Sequence, residues 1–350
     1  MEVNTNIGAA VKKKKTNTVL KIFIIVFLVV LLGSVVLFFA LNNSNGVGKG
    51  VINPKKVLEE INMNPFVGAN GAIAQEFPDS KRVNMLLLGT SSLDLTDTMM
   101  LGSFDTELKR VDIVSVPRDT YVDRTEYKDP ALKKINSTYQ TYDKDKYKDG
   151  FESVCTEVSN VLGGVPIHFY ALISDDGVAH IIDAMGGVEI DVPIQMDYED
   201  AGQDLFIHLQ KGLQTLNGDQ SIQFLRFRKG YANGDLGRVE AQQNFMKEAF
   251  KQSIGFGFPK VVSTGLAEVQ TNMNAAQGSS LATSGLGMGT SDLHTVVIPG
   301  VPETINGASY FIADAEATAV AMRDLYSMTK ETADATENAD GETDGNEIAE

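Results

Sequence analysis

Residues 83–116 read VNMLLLGTSSLDLTDTMMLGSFDTELKRVDIVSV. Three short apolar runs, 83–89, 98–104 and 111–116, are bounded by turn residues, and this pattern predicts three strands in close succession. Beyond them the period changes. Apolar residues at 151, 154, 155, 158, 161 and 162 trace one face of a helix over 151–162. A strand is predicted at 169–173 and a helix at 177–185, stopped by Gly186-Gly187. Residues 188–192 alternate apolar and acidic, as a half-buried strand does. Helices follow at 219–227 and 237–251, a late strand at 296–298, and a last helix over 314–326 opened by Asp314. Alternation of this kind predicts an α/β fold with helices packed on a central sheet.

The ends of the chain have a different character. Residues 22–41, IFIIVFLVVLLGSVVLFFAL, hold no charge. A helix of that length is about 30 Å long, the thickness of a bilayer's hydrocarbon core. A cleaved signal has a shorter apolar run and a small-x-small site, which Phe39-Ala40-Leu41-Asn42-Asn43 does not offer. The reading is an uncleaved single-pass anchor in the cell membrane. Lys12 to Lys15 would keep residues 1–21, a basic tail, in the cytoplasm and leave everything after Leu41 outside the cell. Residues 42–79 are expected to be an extracellular stalk, with a Gly-rich tether at 42–50 and a short helix before Pro65. Residues 331–350 carry eight acids and no base, and are expected to be a disordered acidic tail. The functional body is then 80–330.

Composition sets limits on function. The 350 residues carry 30 Lys+Arg against 46 Asp+Glu, a net charge of −16, with 43% apolar residues, one Cys and no Trp. The apolar share supports a real core. One Cys excludes a disulfide framework and a Cys-based zinc site. The acidic balance argues against nucleic acid as a partner, since that binding needs a basic footprint. Residues 1–21 are too short for a helix-turn-helix domain, which argues against a transcription regulator. Cys155, on the apolar helical face, reads as a small core residue, and His168, His180, His208 and His294 lack metal-ligand spacing.

Common catalytic motifs (GxxxxGK[ST], HExxH, GxSxG) are absent. The segment 285–289 is Gly-rich but lacks a preceding strand, so it reads as a loop. Arginines at element ends remain. Arg118 follows a strand; Arg226 and Arg228 flank Phe227 and would share one side if that run is extended. Arg238 opens a helix capped by Asp235, with Gln242 four residues on and hence on the same face. Guanidinium forks near a helix N-terminus suit a phosphate. Asp97, opening a strand, could hold Mg²⁺ on that phosphate. The competing reading pairs each arginine with a neighbouring acid, Arg118 with Asp119 and Arg238 with Asp235.

The order and wording of these segments resemble the LytR–CpsA–Psr family of bacterial transferases, which attach lipid-linked glycopolymers to peptidoglycan. The matching pieces include residues 85–89 (MLLLG), 97–101 (DTMML), 115–120 (SVPRDT), 134–136 (KIN), 183–193 (DAMGGVEIDVP), 225–228 (LRFR) and 235–243 (DLGRVEAQQ). The resemblance implies an α/β/α sandwich with a central mixed sheet and a polyprenyl chain in an apolar pocket. It implies that Arg118, Arg226, Arg228, Arg238 and Gln242 hold a pyrophosphate, that Asp97 binds Mg²⁺ (or Mn²⁺), and that Asp235 supports the cluster. Three departures accompany it. Family members usually carry an Asp soon after the first strand and an Arg just before the Asp-Thr pair. Here those neighbourhoods read Gly89-Thr90-Ser91-Ser92 and Leu95-Thr96, and Ala241 replaces a common basic residue.

The expected function is therefore phosphotransfer outside the membrane of a Gram-positive bacterium. A polyprenyl-pyrophosphate-linked glycopolymer would be the donor, near membrane lipid, and a peptidoglycan sugar hydroxyl the acceptor. The alternative is a non-catalytic or degenerate envelope protein that binds lipid-linked glycans, motivated by Ser91 and Leu95.

Overall fold

A computed structural model describes residues 59–329 except 62–63, 70, 91–94, 202–204, 228–229, 232–240, 242–243, 246–247, 250–251, 253–263, 266 and 286–291. The expected anchor at 22–41, the acidic tail and the Gly-rich loop's core lie outside the described residues. Among the described residues no helix is long and apolar enough to cross a membrane.

The three opening runs are strands β1 (Arg82–Thr90), β2 (Thr96–Asp105) and β3 (Arg110–Ser115). They pair antiparallel in sequence order. β4 (Phe169–Ser174) lies parallel to β1, and a later strand, Leu293–Val297, lies parallel to β3. The hairpin strands β5 (Val188–Val192), β6 (Met196–Asp200), β7 (Leu205–Leu209) and β8 (Gly212–Leu216) pair among themselves. The later strands are β9 (Gln270–Thr271), β10 (Leu293–Val297), β11 (Gly300–Ile305) and β12 (Ala308–Ala313). The main sheet runs β10-β3-β2-β1-β4-β9 and is mixed, as expected.

Alternation along β1 divides its apolar residues between two faces. Leu86 and Leu88 join Met99, Leu101 and Val114 on one face. After the short helix α1 (Ala72–Glu76), helix α2 (Gly150–Val161) covers it with Val154, Cys155 and Val158, and the C-terminal helix Ala315–Tyr326 with Met322, Leu325 and Tyr326. Val83, Met85 and Leu87 face the other way with Ile113 and Phe169, under Ile181 of α3 (Asp175–Met185). Leu281, from a helix over Ala275–Ser284, joins that layer. Two helical layers thus enclose one sheet. A third cluster joins the β5–β8 hairpins to α4 (Gly218–Arg226) through Phe224, with Ile182 of α3 completing it. The Ala275–Ser284 helix is α5 and the C-terminal one α6.

Helix limits follow local chemistry. Asp149, Ser174 and Asp314 cap α2, α3 and α6 with side-chain oxygens that accept N–H groups of the first turn. Asn217 and Gln220 form a capping box on α4. α3 stops at Gly186 (φ 88°), where Gly187 N–H reaches Ile182 C=O and Gly186 N–H reaches Asp183 C=O, each at 3.0 Å. That left-handed turn favours glycine.

One expectation needs correction. Residues 59–79 are part of the body and not a free stalk. Ile61 and Ile73 are buried in opposite layers, and Phe66 exchanges backbone hydrogen bonds with Ile167 at 2.8 and 2.9 Å. These apolar residues are too isolated to set up a period, so only tertiary contact reveals them. The helix expected over 219–227 is α4, which Arg226 ends, so the 226–228 run is extended only from Phe227. The capping box and buried Ser221 and Phe224 carry the helix that far, and a basic last turn complements the dipole.

Candidate active site

β1, β3, β4 and β10 all run in one direction, against β2. Their C-terminal ends therefore share one sheet edge with the start of β2. In open α/β sheets, ligands bind beyond such carboxyl ends. Asp97, Arg118 and Arg226, singled out by type and position, meet at this edge. At about 4.8 Å per strand, the step from β3 to β4 spans about 14 Å.

Asp97 sits in an irregularity of the sheet. Gly89 faces Thr98 and Thr90 faces Thr96, so Asp97 is the extra residue of a β-bulge. A bulge interrupts the ladder and redirects the chain locally, a device common beside active sites. The Asp97 side chain lies outside the described residues.

Arg118 follows β3 on an exposed turn, where Thr120 N–H returns to Pro117 C=O at 3.0 Å. A short clip holds this turn. Val122 N–H donates to Lys133 C=O at 3.0 Å, Ile135 N–H to Thr120 C=O at 2.9 Å, and Asn136 N–H to Arg118 C=O at 3.2 Å. β12 supports the clip from behind, through Tyr121 N–H to Phe311 C=O and Phe311 N–H to Asp119 C=O, both 2.9 Å. Arg118 Nε lies 3.8 Å from Asp119 Oδ2, so the neighbour pairing weighed from sequence does occur here. Both side chains are 43% exposed, where such a pair contributes little and leaves the guanidinium within reach of a solute.

Two cations on this loop were not singled out from sequence. Lys134 Nζ lies 2.8 Å from Asp119 Oδ1, which puts a second positive charge beside Arg118. Its sequence signal is the Lys134-Ile135-Asn136 motif. Arg124 is buried and donates to Leu132 C=O, Ser137 Oγ and Thr141 C=O while stacking on Tyr127. It organises the loop from within; no pattern distinguishes it from a surface arginine.

Arg226 reaches the same edge from α4. Its Nη1 lies 3.9 Å from Asp175 Oδ2, at the first turn of α3. Ser174, the cap of α3, faces Thr90 in the parallel ladder. The first turn of α3 and the Arg226 guanidinium are therefore adjacent. Asp175 and Asp176 lie in that turn too and oppose part of the positive field. Arg228, Asp235, Arg238 and Gln242 lie outside the described residues. The helix expected to carry the last two shows Ala241, Phe245 and Ala249 buried along one face.

Donor chemistry decides whether Mg²⁺ fits. Among the described residues no group of three or more His, Cys, Asp or Glu forms a metal cage. Mg²⁺ does not need one: it is commonly held by one or two carboxylates plus substrate phosphates. Asp97, at the sheet edge that also carries Arg118 and Arg226, is a carboxylate of the type that pattern uses. Cys155 takes no part, because burial pushes its thiol well above the usual range. His168 is also a core group: it accepts the Asn84 N–H at Nδ1 (2.9 Å), and burial lowers its pKa to about 4.

The chain belongs to the LytR_cpsA_psr family, whose signature matches residues 49–326. It is 29% identical over 254 residues to the polyisoprenyl-teichoic acid–peptidoglycan teichoic acid transferase TagU of Oceanobacillus iheyensis, covering 70% of this chain and 75% of that protein. Among solved structures it is similar to TagV of B. subtilis, with 24% identity, a TM-score of 0.52, and 71% of this chain and 96% of that one covered. It is also similar to TagT bound to LIIa-WTA, at 20% identity and a TM-score of 0.50, over 70% and 89% of the two chains. These structural likenesses establish the fold.

Proposed function

We propose that this protein is a phosphotransferase that moves a glycopolymer of the teichoic acid type from a polyprenyl-pyrophosphate carrier to a peptidoglycan sugar hydroxyl. The observation that carries the reading is the convergence of the Asp97 bulge, the Arg118 loop and Arg226 on one sheet edge. Family membership and the similarity to TagU support the same class. The pyrophosphate is assigned to Arg118, Arg226, Arg228, Arg238 and Gln242, with Asp235 orienting the cluster. Residues 22–41 anchor the body at the outer face of the membrane, where the lipid carrier resides.

The acceptor hydroxyl oxygen attacks the sugar-proximal phosphorus. A new P–O bond forms, the bond to the bridging oxygen breaks, and polyprenyl phosphate leaves with that electron pair. The product is a phosphodiester, and the hydroxyl proton passes to a base or to solvent. Guanidinium groups held before the reaction stabilise charge that grows on the bridging and non-bridging oxygens. Rigid placement matters here, because phosphoryl transfer depends on positioning and charge more than on covalent help from the protein. Mg²⁺ or Mn²⁺ held by Asp97 on the pyrophosphate would supply further positive charge. No nucleotide is needed, since the pyrophosphate linkage already stores the driving force.

The test incubates the full chain with a polyprenyl-pyrophosphate-linked glycan, Mg²⁺ and peptidoglycan oligomers, and follows products by mass spectrometry. Polyprenyl monophosphate and a phosphodiester-linked glycan are expected together. Tight donor binding without either product would make the protein the non-catalytic glycan binder instead.

A further inference from the structure

We infer that Thr96 is a positioning residue whose buried hydroxyl fixes the Asp97 bulge relative to the Arg118 loop, so that carboxylate and guanidinium address one pyrophosphate. The inference rests on the function proposed above and adds a residue to it. Thr96 is fully buried, and its Oγ1 donates to the Asn136 carbonyl at 3.0 Å, forty residues along the chain. The Asn136 N–H donates in turn to the Arg118 carbonyl at 3.2 Å. One residue's backbone thus joins the position before Asp97 to Arg118, by one hydrogen bond on each side.

The ladders do not supply this restraint. The β2–β3 pairing stops at Met100 with Ser115, followed only by Val116 N–H to Met99 C=O at 3.0 Å. On the β1 side the register shifts at Asp97 itself. Where β2 outruns β3, the Thr96 hydroxyl holds it to the clip. The clip gives rigid support: Ile135 and Ser137 are buried, and Arg124 holds Ser137 Oγ at 3.1 Å. A catalytic constellation must be held to about 0.5 Å, so a single bond at such a junction affects chemistry before it affects folding.

The test compares Thr96→Val, which keeps size and β-branching but removes the donor, with Thr96→Ser, which keeps the donor. Binding of a polyprenyl pyrophosphate to the full chain is titrated calorimetrically at several Mg²⁺ concentrations, alongside transfer kinetics. For Thr96→Val the Mg²⁺ needed for half-maximal effect is expected to rise about tenfold, roughly the loss of one hydrogen bond's worth of alignment. Its kcat should fall by about the same factor, while binding without Mg²⁺ stays within about twofold. Thr96→Ser should restore both. A wild-type Mg²⁺ response and kcat in Thr96→Val overturns the inference alone, as does an equal loss in Thr96→Ser, which would point to the methyl group. Should Thr96→Val fail to fold, Thr96→Cys, with a weak donor, replaces it with the same expected direction. Absence of both binding and transfer in the wild type overturns the functional reading first and the inference with it.

Discussion

The two ends of the central sheet use the same residue types for opposite purposes. At the end where β1 begins, Arg82 is buried with Asp112 at 2.9 Å, and Arg110 meets the same carboxylate at 2.7 Å. Ser103 and Asp105 add to the cluster, and Tyr326 lies under the Arg82 guanidinium. At the end where β1 finishes, Arg118 and Arg226 lie 3.8 and 3.9 Å from their acids and are partly exposed. Buried charges must be matched, since an unmatched one costs several kcal/mol. Partly exposed arginines such as these keep contact with water, and their ion pairs carry little of the fold's stability. Burial separates the two sets of arginines, which residue type alone cannot do.

The largest effect is expected where the matched end is broken. Asp112→Ala leaves Arg82 and Arg110 without their shared carboxylate and should lower unfolding free energy by about 3–5 kcal/mol in urea titrations. Transfer per folded molecule should be unchanged. At the other end Arg118→Ala should do the reverse. Its transfer rate should drop about 10²–10³-fold, close to the loss of one preorganised donor. Its stability should stay within about 0.5 kcal/mol, as for other surface changes. Equal stability losses for the two variants would remove the distinction between the ends.

The next effect concerns pH and belongs to the matched end. His168, against Asn84, is kept neutral with its pKa lowered from 6.5 to about 4. The unfolded chain binds a proton there below about 6.5 and the folded one does not, so stability rises with pH across that window. This contribution is complete above about pH 6.5 and is lost as pH falls toward about 4, at most about 3 kcal/mol. His168→Asn retains an acceptor but does not titrate, so its unfolding curve should lack this component between pH 7 and 4. The smallest effect is at the functional edge: Ser174→Ala removes the α3 cap and should cost about 1 kcal/mol, read as a shift in urea midpoint.

Much of the fold was legible because its central strands announce themselves. β1 is buried along nearly its whole length, so its apolar run, like those of β2 and β3, stood out. The caps Asp314 and Gly186 marked helix ends for local reasons. Less legible were strands whose burial does not alternate. β11, exposed along most of its length and containing Pro302, carried no strand signal. α5 was hidden in an Ala/Ser/Gln-rich stretch with little apolar contrast. Among the candidate site residues, Arg118, Arg226 and Asp97 stand out in the sequence because arginines and a carboxylate at element ends have a chemical reason to be there. Lys134, Arg124, Asp175 and Thr96 do not, since their roles depend on what lies across the sheet.

The sequence by itself determined the strand and helix alternation, the candidate anchor and tail, and the chemical types at the site, because periodicity, charge and capping are local properties. Tertiary structure alone decided that Ile61, Phe66 and Ile73 join the body and that Asp97 occupies a bulge. It also decided which arginines are buried against carboxylates and which are exposed. Those outcomes depend on pairing between segments tens of residues apart, where hydrogen bonding and desolvation act between neighbours in space and leave no trace in neighbouring letters.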